Sequence, residues 1–248
     1  MFFSNFMDKR SIYIIVAIMV IFGLWNYINN PSQLLDLLLT VPGLLIAITF
    51  HEFAHAFAAD KLGDDTPRLQ GRLNLNPLSH LDPVGSLMLL FAGFGWGKPV
   101  QVNPRNYDRR MSMEKADAIV SIAGPLMNFF LALIFTIIYC AIIKFVNPVT
   151  IMTSKVLQVI ISMVLYTISI NVGLGVFNLL PVPPLDGSKI IKPLLPYNIK
   201  NWFESNEQIF RIVFVALWIF GILGTIISPV IKVVLSGFLG LGYKVFGL

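Results

Sequence analysis

Two histidines and a glutamate lie within five consecutive residues of an apolar segment. The residues from His51 to His55 read HEFAH, which fits the pattern HExxH, and they follow the apolar residues 44–50. Because side chains four positions apart share one face of a helix, both imidazoles can bind one metal ion. Glu52 then lies beside the metal, where it can act as a general base. The pattern therefore predicts a zinc-dependent hydrolase.

The surroundings of this pattern are apolar enough to cross a lipid bilayer. An ionised side chain at the centre of a membrane helix costs about 2.5–3.5 kcal/mol, so such residues are usually retained for function. In a purely structural interpretation, the two histidines only face polar partners in a helix bundle. That interpretation leaves two imidazoles and a carboxylate without a compensating cation, which a metal ion would supply. We therefore expect a metal site at membrane depth.

The composition is that of a polytopic membrane protein. Of 248 residues, 56% are hydrophobic and 12% are charged, and the mean hydropathy is +0.77, which is unlike a soluble domain. Several stretches approach the ~20 apolar residues that span hydrocarbon. We predict an all-α fold with about six transmembrane helices in a single domain, residues 1–248. The predicted spans are residues 12–28, 38–59, 118–145, 156–180, 209–226 and 229–246, with a core at 38–192 and additional helices at 12–28 and 209–246.

Lysine and arginine are distributed unevenly between the two sides of this arrangement. With a cytoplasmic N-terminus, alternating spans place all of the 18 basic residues except Lys144, Lys155 and Lys232 on the cytoplasmic side. This asymmetry is the positive-inside pattern, and it predicts a multi-pass protein of the cell membrane with both termini in the cytoplasm. The net charge of +5 is then a consequence of topology, with lipid as the partner and no nucleic acid. Cys140 stands alone in an apolar run, so we expect it to pack or to face lipid.

A zinc site with three protein ligands needs one more donor than HExxH supplies. The candidates are His80, in a polar loop, and Asp186, of which Asp186 is the stronger. Prolines at 181, 183 and 184 break an apolar helix just before Asp186. Irregular backbone at membrane depth persists only where it is buried in protein or lines a wet cavity. In the alternative interpretation, Asp186 is an ordinary turn residue of an interfacial loop.

Three motifs together resemble the site-2 protease family of intramembrane zinc metalloproteases, and the similarity covers roughly residues 41–192. The motifs are HExxH at 51–55, Gly-Pro-Leu-Met-Asn at 124–128, and Asn-x-x-Pro-x-Pro-x-Leu-Asp-Gly at 178–187. The resemblance implies one Zn²⁺ per chain, with His51, His55 and Asp186 as ligands. It also implies that Glu52 is the general base for water activated at the metal. Asn128 would line the site near the substrate carbonyl, whereas the alternative for Asn128 is a hydrogen bond between packed helices.

The resemblance also implies an activity and partners. The expected function is endopeptidase cleavage of membrane-anchored or transmembrane proteins, such as anti-sigma factors, pro-sigma factors or remnant signal peptides. Residues 73–80 resemble a family segment whose histidine is not a ligand, so His80 is predicted to be structural. The chain resembles compact, prokaryotic members without PDZ or CBS domains. A separate regulatory membrane protein is therefore an expected partner.

The region between the second and third spans has a different pattern. Residues 66–76 alternate between apolar and polar side chains, and residues 100–102 repeat the alternation, which predicts a small membrane-associated β element. Residues 85–97 are apolar but too short to cross, so we predict a re-entrant segment. An edge of the predicted sheet could pair with an unwound substrate. The alternative is a cytoplasmic cap without substrate contact.

Two other classes of membrane protein compete with this interpretation. Proteases of the HtpX and CAAX types also carry HExxH, but they take a later glutamate as a ligand. The other glutamates here, Glu114, Glu204 and Glu207, lie in loops or at helix starts. A zinc transporter or a catalytically silent scaffold would not require Glu52 next to a metal-binding histidine. Only a protease would release fragments of a transmembrane peptide in a reaction that a zinc chelator stops.

Overall fold

The computed structural model describes residues 9–92 and 97–248, and most of them are helical, as predicted. The elements of the first half are α1 (Lys9–Asn29), α2 (Pro31–Lys61), α3 (Thr66–Leu69), α4 (Pro77–His80), α5 (Pro83–Ala92), a 3₁₀ turn (Pro104–Asn106) and α6 (Met113–Phe145). Those of the second half are α7 (Pro148–Thr153), α8 (Lys155–Asn178), α9 (Asp186–Ile191), a 3₁₀ turn (Lys192–Leu194), α10 (Tyr197–Ser205), α11 (Glu207–Ile219) and α12 (Ile222–Phe246).

Within the described residues, four helices are long and apolar enough to cross a membrane. They are α2, α6, α8 and α12. The apolar part of α1, Ala17–Asn29, is shorter than these four helices. Helix α11 is also shorter, with 13 residues. An all-α membrane protein is therefore supported, and four of the six predicted spans correspond to described helices of sufficient length and apolarity. The number of spans stays a prediction.

The last two helices divide at a different place from the predicted one. The sequence predicted that one span ends at residue 226 and that the next begins at Pro229. In the structure, α11 ends at Ile219, shortly before Gly221, and Pro229 lies inside α12. Gly221 has a φ of +71°, a left-handed conformation that glycine adopts without steric cost. A proline is tolerated inside a membrane helix because neighbouring groups and local adjustments satisfy the freed carbonyl. The glycine, and not the proline, therefore separates the two helices.

Helices α2, α6 and α8 contact one another and form the centre of the molecule. The backbones of α2 and α8 approach closely at Gly43, where an added Cβ would lie 2.8 Å from the Cα of Thr167. Helix α12 packs against α6 and α8. Cys140 of α6 is fully buried and faces Gly242 of α12, in agreement with its predicted packing role. This three-helix centre holds the HExxH residues against two other helices.

The predicted β element does not form in the described residues. Thr66–Leu69 is a helical turn, and the bridge found in this region joins only Leu81 to Gly97. The turns have local causes, since Pro67 and Pro77 occupy first-turn positions, which proline favours. Part of the predicted re-entrant segment forms α5, which packs on α1. Residues 93–96 of that segment lie outside the described residues.

Asp64 organises the polar loops that follow α2. Its side chain is fully buried and accepts hydrogen bonds from the hydroxyl and backbone N–H of Thr66, from the backbone N–H of Asn103 and from the amide of Asn106. Burial by itself raises the pKa of Asp64, but these hydrogen bonds outweigh it and hold the pKa below its ordinary value. The ionised carboxylate therefore stabilises the folded loops.

We expect Asp64→Asn to destabilise the protein by about 1–3 kcal/mol at pH 7, because it leaves buried donors facing an amide. Since the folded-state pKa is the lower one, this stabilisation is present above the unfolded-state value of about 3.9 and is lost as pH falls through the folded-state pKa. Thermal unfolding in detergent at pH 7 and in acid measures it, with the neighbouring exposed Asp65→Asn as control. If the melting temperatures of Asp64→Asn and the parent protein differ as much in acid as at pH 7, this role is contradicted.

Candidate metal centre

The two histidines of α2 face the centre of the helix bundle. His51 and His55 are buried, with 6% and 9% of their surface exposed. They are one helical turn apart, and their Nε2 atoms lie 3.0 Å from each other. The structure therefore places both predicted metal-binding nitrogens at one point.

Asp186 reaches the same point from a separate part of the chain. It is the first residue of α9, directly after the proline-broken segment that follows α8. Its Oδ2 lies 3.2 Å from the Nε2 of His51 and 3.2 Å from the Nε2 of His55. A Cβ on Gly187 would overlap the carbonyl oxygen of Leu179. The missing side chain at 187 thus allows α9 to fold back onto the end of α8.

Hydrogen bonds fix which nitrogen of each imidazole is free. The Nδ1 of His55 lies 2.8 Å from the carbonyl oxygen of Val120, which can only accept. The Nδ1 of His51 lies 2.6 Å from Oδ1 of Asn128. Both Nδ1 atoms are therefore donors, and in the neutral imidazoles both Nε2 atoms carry lone pairs. Oxygens behind the ring commonly fix metal-binding histidines in this way.

The donor set fits a zinc ion. Three lone-pair atoms converge with no proton between them, and Oδ2 of Asp186 is buried with no hydrogen-bond partner among the described residues. Such an arrangement is repulsive unless a cation lies among the three atoms. Two ligands about 2.0–2.1 Å from a tetrahedral zinc ion lie about 3.3–3.4 Å apart. The observed separations of 3.0 and 3.2 Å are close to this spacing.

Asn128 lies behind His51, away from the convergent donor atoms. Its amide nitrogen donates to the carbonyl oxygen of Ala47 at 3.1 Å and to Oδ1 of Asn171 at 3.0 Å. Asn171 in turn donates to the carbonyl oxygen of Thr167 at 2.8 Å. Both amide hydrogens of Asn128 are thus engaged, and its oxygen faces His51. This geometry is that of a residue that positions His51 and joins packed helices, the alternative given above for Asn128. The contact with the substrate carbonyl stays a prediction.

Asn128→Leu is expected to weaken zinc binding by about 10–100-fold, the usual cost of losing a partner behind a metal ligand. Leucine has a similar volume but cannot accept the Nδ1 proton of His51. Competition titration with a zinc chelator measures the affinity. Thr136→Val is the matched control in α6, because Thr136 is also buried but its hydroxyl bonds to Ala132 of its own helix. Equal zinc affinities of Asn128→Leu and the parent would contradict the positioning role.

Gly124 explains how α6 can lie so close to the metal-binding face of α2. A Cβ at this position would overlap Nε2 of His55 and would lie 2.7 Å from Cε1 of His51. Glycine is therefore required at the point where the helix passes the two imidazoles. The motif at 124–128 thus contributes one residue that makes room for the histidines and one, Asn128, that bonds to His51.

Glu52 is held beside this cluster by the segment that follows residue 97. Its Oε2 accepts a hydrogen bond of 2.9 Å from the N–H of Val100. A Cβ on Gly97 would lie 3.7 Å from the other oxygen, Oε1, and only 2.9 Å from Ile48. Glycine at 97 therefore lets the backbone pass over the carboxylate. The protein backbone therefore fixes one oxygen of Glu52, Oε2.

His80 lies apart from the cluster that contains Asp186. It is fully buried, and its Nε2 lies 2.8 Å from the carbonyl oxygen of Asn74. Burial lowers the pKa of His80 and so favours the neutral form. Its backbone carbonyl accepts a 2.8 Å hydrogen bond from the N–H of Lys98. Of the two candidates for the third ligand, Asp186 is the one that the structure brings to the histidines.

Comparisons with known proteins agree with this site. The profile of peptidase family M50 matches residues 39–221. YwhC of Bacillus subtilis (strain 168), named as a zinc metalloprotease, is 38% identical over 194 residues, which is 78% of this chain and 85% of YwhC. Rip2 of Mycobacterium tuberculosis (strain Erdman), also named as a zinc metalloprotease, is 30% identical over 196 residues, which is 74% of this chain and 71% of Rip2. No solved structure matches the chain significantly.

Fold, site and relatives together define a membrane metalloprotease that uses zinc. The family profile covers well over half of the chain, and the predicted resemblance to site-2 proteases is confirmed. The chain belongs to peptidase family M50.

Proposed function

We propose that this protein is an intramembrane endopeptidase that binds one zinc ion and cleaves membrane-anchored or transmembrane proteins. The observation that carries the proposal is the convergence of His51, His55 and Asp186 beside Glu52. The ligand atoms of the first three lie within 4.8 Å of one another, and both histidines belong to a helix apolar enough to cross the membrane. A site in that position is suited to peptide bonds at membrane depth.

Zinc in a three-ligand site acts as a Lewis acid that acidifies water and polarises a carbonyl group. His51, His55 and Asp186 would hold the ion and leave one position open. Glu52, oriented by the N–H of Val100, accepts a proton from the attacking water through its other oxygen, Oε1. It then returns this proton to the nitrogen of the leaving amine.

The site is proposed to lie in the cytoplasmic half of the membrane. At about 1.5 Å per residue, His55 lies roughly 9 Å along α2 from Lys61, where the helix ends. The positive-inside distribution supports six spans with both termini in the cytoplasm. A cavity of about 200 Å³ is lined by Pro183, Pro184 and Ser188, the neighbours of Asp186 in sequence. We propose that water approaches the site from this side.

Cleavage of a transmembrane peptide in proteoliposomes tests this function. The expected result is fragments whose new ends map within the membrane-spanning part of the peptide, and whose formation stops with a zinc chelator and resumes with added zinc. Fragments that form at the same rate without zinc, or no fragments from any transmembrane peptide, would reject the proposal. Comparing the membrane proteomes of cells carrying the active enzyme and the Glu52→Gln form would then identify accumulated precursors.

A further inference from the structure

Arg72 is a buried cation that the chemistry above does not use. It lies in the loop between α3 and α4, and only 5% of its surface is exposed. A buried charge is costly unless it is paired and fully hydrogen-bonded. Yet Arg72 forms no salt bridge with a carboxylate in the described part of the chain. Its position therefore calls for a partner that these residues do not provide.

The guanidinium and the carboxylate of Glu52 bond to the same short stretch of main chain. Nη2 of Arg72 donates to the carbonyl oxygen of Lys98, and two residues further along, the N–H of Val100 donates to Glu52. Arg72 and Glu52 thus hold main-chain groups of the same short segment. Burial lowers the pKa of Arg72, and the negative charge of Glu52 opposes this.

One nitrogen of this guanidinium is unused. Nη1 of Arg72 is buried and has no hydrogen-bond partner among residues 9–92 and 97–248. Because the guanidinium is planar and rigid, fixing Nη2 on Lys98 restricts the direction of Nη1. A pre-oriented charged donor of this kind suits a carbonyl or carboxylate oxygen. The group that must come to rest beside Glu52 is the peptide to be cleaved, and its carbonyl oxygens lose their helical hydrogen bonds when the substrate unwinds.

We propose that Arg72 is a substrate-binding residue, whose Nη1 donates a hydrogen bond to a main-chain carbonyl oxygen of the peptide next to the cleaved bond. This inference rests on the proposed protease function. Arg72 then has two tasks, because Nη2 holds the segment over Glu52 and Nη1 holds the substrate. The hydrogen bond from Nη1 replaces the helical hydrogen bond that this carbonyl oxygen loses when the substrate unwinds.

Substitution by lysine separates the two tasks. A lysine ammonium can reach the Lys98 carbonyl oxygen, but it lacks the planar group whose two nitrogens can bind two oxygens at once.

The measurement is the Kd of a fluorescent transmembrane peptide for the Glu52→Gln protein, which binds the peptide without cleaving it. The Kd is measured with and without the additional change Arg72→Lys or Arg72→Met. We expect both variants to bind the peptide about 10–100-fold more weakly, which corresponds to the loss of one hydrogen bond to a charged group. Arg72→Lys should keep the melting temperature and zinc content of the parent. Arg68→Met is the control, because Arg68 is exposed and pairs with Asp60.

The outcomes distinguish this inference from the function on which it rests. If Arg72→Lys binds the peptide as tightly as the Glu52→Gln parent, Arg72 only holds the loop and water serves Nη1, which overturns the proposal. Weaker binding by Arg72→Lys at unchanged stability, with Arg68→Met unaffected, supports it. Chelator-sensitive cleavage by the wild-type protein is measured in parallel. Its absence would reject the protease function, whatever the Kd values show for Arg72.

Discussion

Replacing Glu52 with glutamine is expected to lower the rate of peptide cleavage by about 10²–10⁴-fold, the usual contribution of a general base. Glutamine has nearly the same size, and its oxygen can still accept the hydrogen bond from Val100. It cannot accept a proton from water. Zinc should stay bound, because the proposed ligands are untouched. Initial rates on a transmembrane peptide and the zinc content of the same preparation measure both effects.

Glu114→Gln is the matched control for this experiment. Glu114 lies at the start of α6 and forms a salt bridge with Lys200, so its replacement removes the same charge elsewhere in the protein. We expect near-normal cleavage from this variant. Cleavage by Glu52→Gln at a rate comparable to the wild-type rate would show that another group accepts the proton.

Replacing Asp186 with alanine is expected to abolish both zinc retention and cleavage. The change removes one of three convergent donors and leaves two imidazole nitrogens 3.0 Å apart. The loss of affinity should exceed the roughly 10–100-fold cost of losing a group behind a ligand, because the group lost here is itself a proposed ligand. Zinc analysis after dialysis against a weak chelator measures retention, and peptide cleavage is assayed on the same samples.

Asp117→Ala provides the comparison for Asp186→Ala. Asp117 lines the neighbouring cavity and lies 3.6 Å from Lys189 of α9. Its removal alters the charge near α9 without removing a donor from the cluster. We expect this variant to retain zinc. Equal zinc content in the two variants would exclude Asp186 as a ligand.

Part of the site could be predicted because helical periodicity is a local property. His51 and His55, four residues apart in one apolar segment, had to share a face of a single helix. The position of Asp186 depends on how the chain folds back after α8, which residue spacing alone does not determine. The resemblance to the site-2 protease family implied that Asp186 joins the two histidines as a ligand. The structure then placed the three side chains together.

The hydrogen bonds behind the histidines were predicted only in part. A bond between packed helices was the alternative for Asn128, but its partners were not named, although a signal was present. Thr167 and Asn171 are polar residues four apart in an otherwise apolar helix, and polar groups at membrane depth seldom lack a partner. What could not be read from the sequence was the partner of Asn171. Its pairing with Asn128 depends on the register of α6 against α8, which is a property of packing.

The loop after α2 was predicted least well, because its alternating pattern has another origin. Asp64 and Asn76 bond to backbone N–H groups two residues further along, and such local bonds compete with strand pairing. The alternation also placed Arg72 on the polar side of a strand. The structure instead buries Arg72 beside the segment that holds Glu52. Tertiary contacts therefore override a short period-two pattern here.

The most direct test of the account is zinc X-ray absorption spectroscopy on the purified Glu52→Gln protein, together with its zinc content. The account predicts about one zinc per chain, bound by nitrogen and oxygen atoms at about 2.0–2.2 Å, with two imidazoles and no sulfur ligand. The oxygen contribution should change when Asp186 is also replaced by alanine. A protein that holds no zinc after loading, or a spectrum with fewer than two imidazoles, would contradict the account.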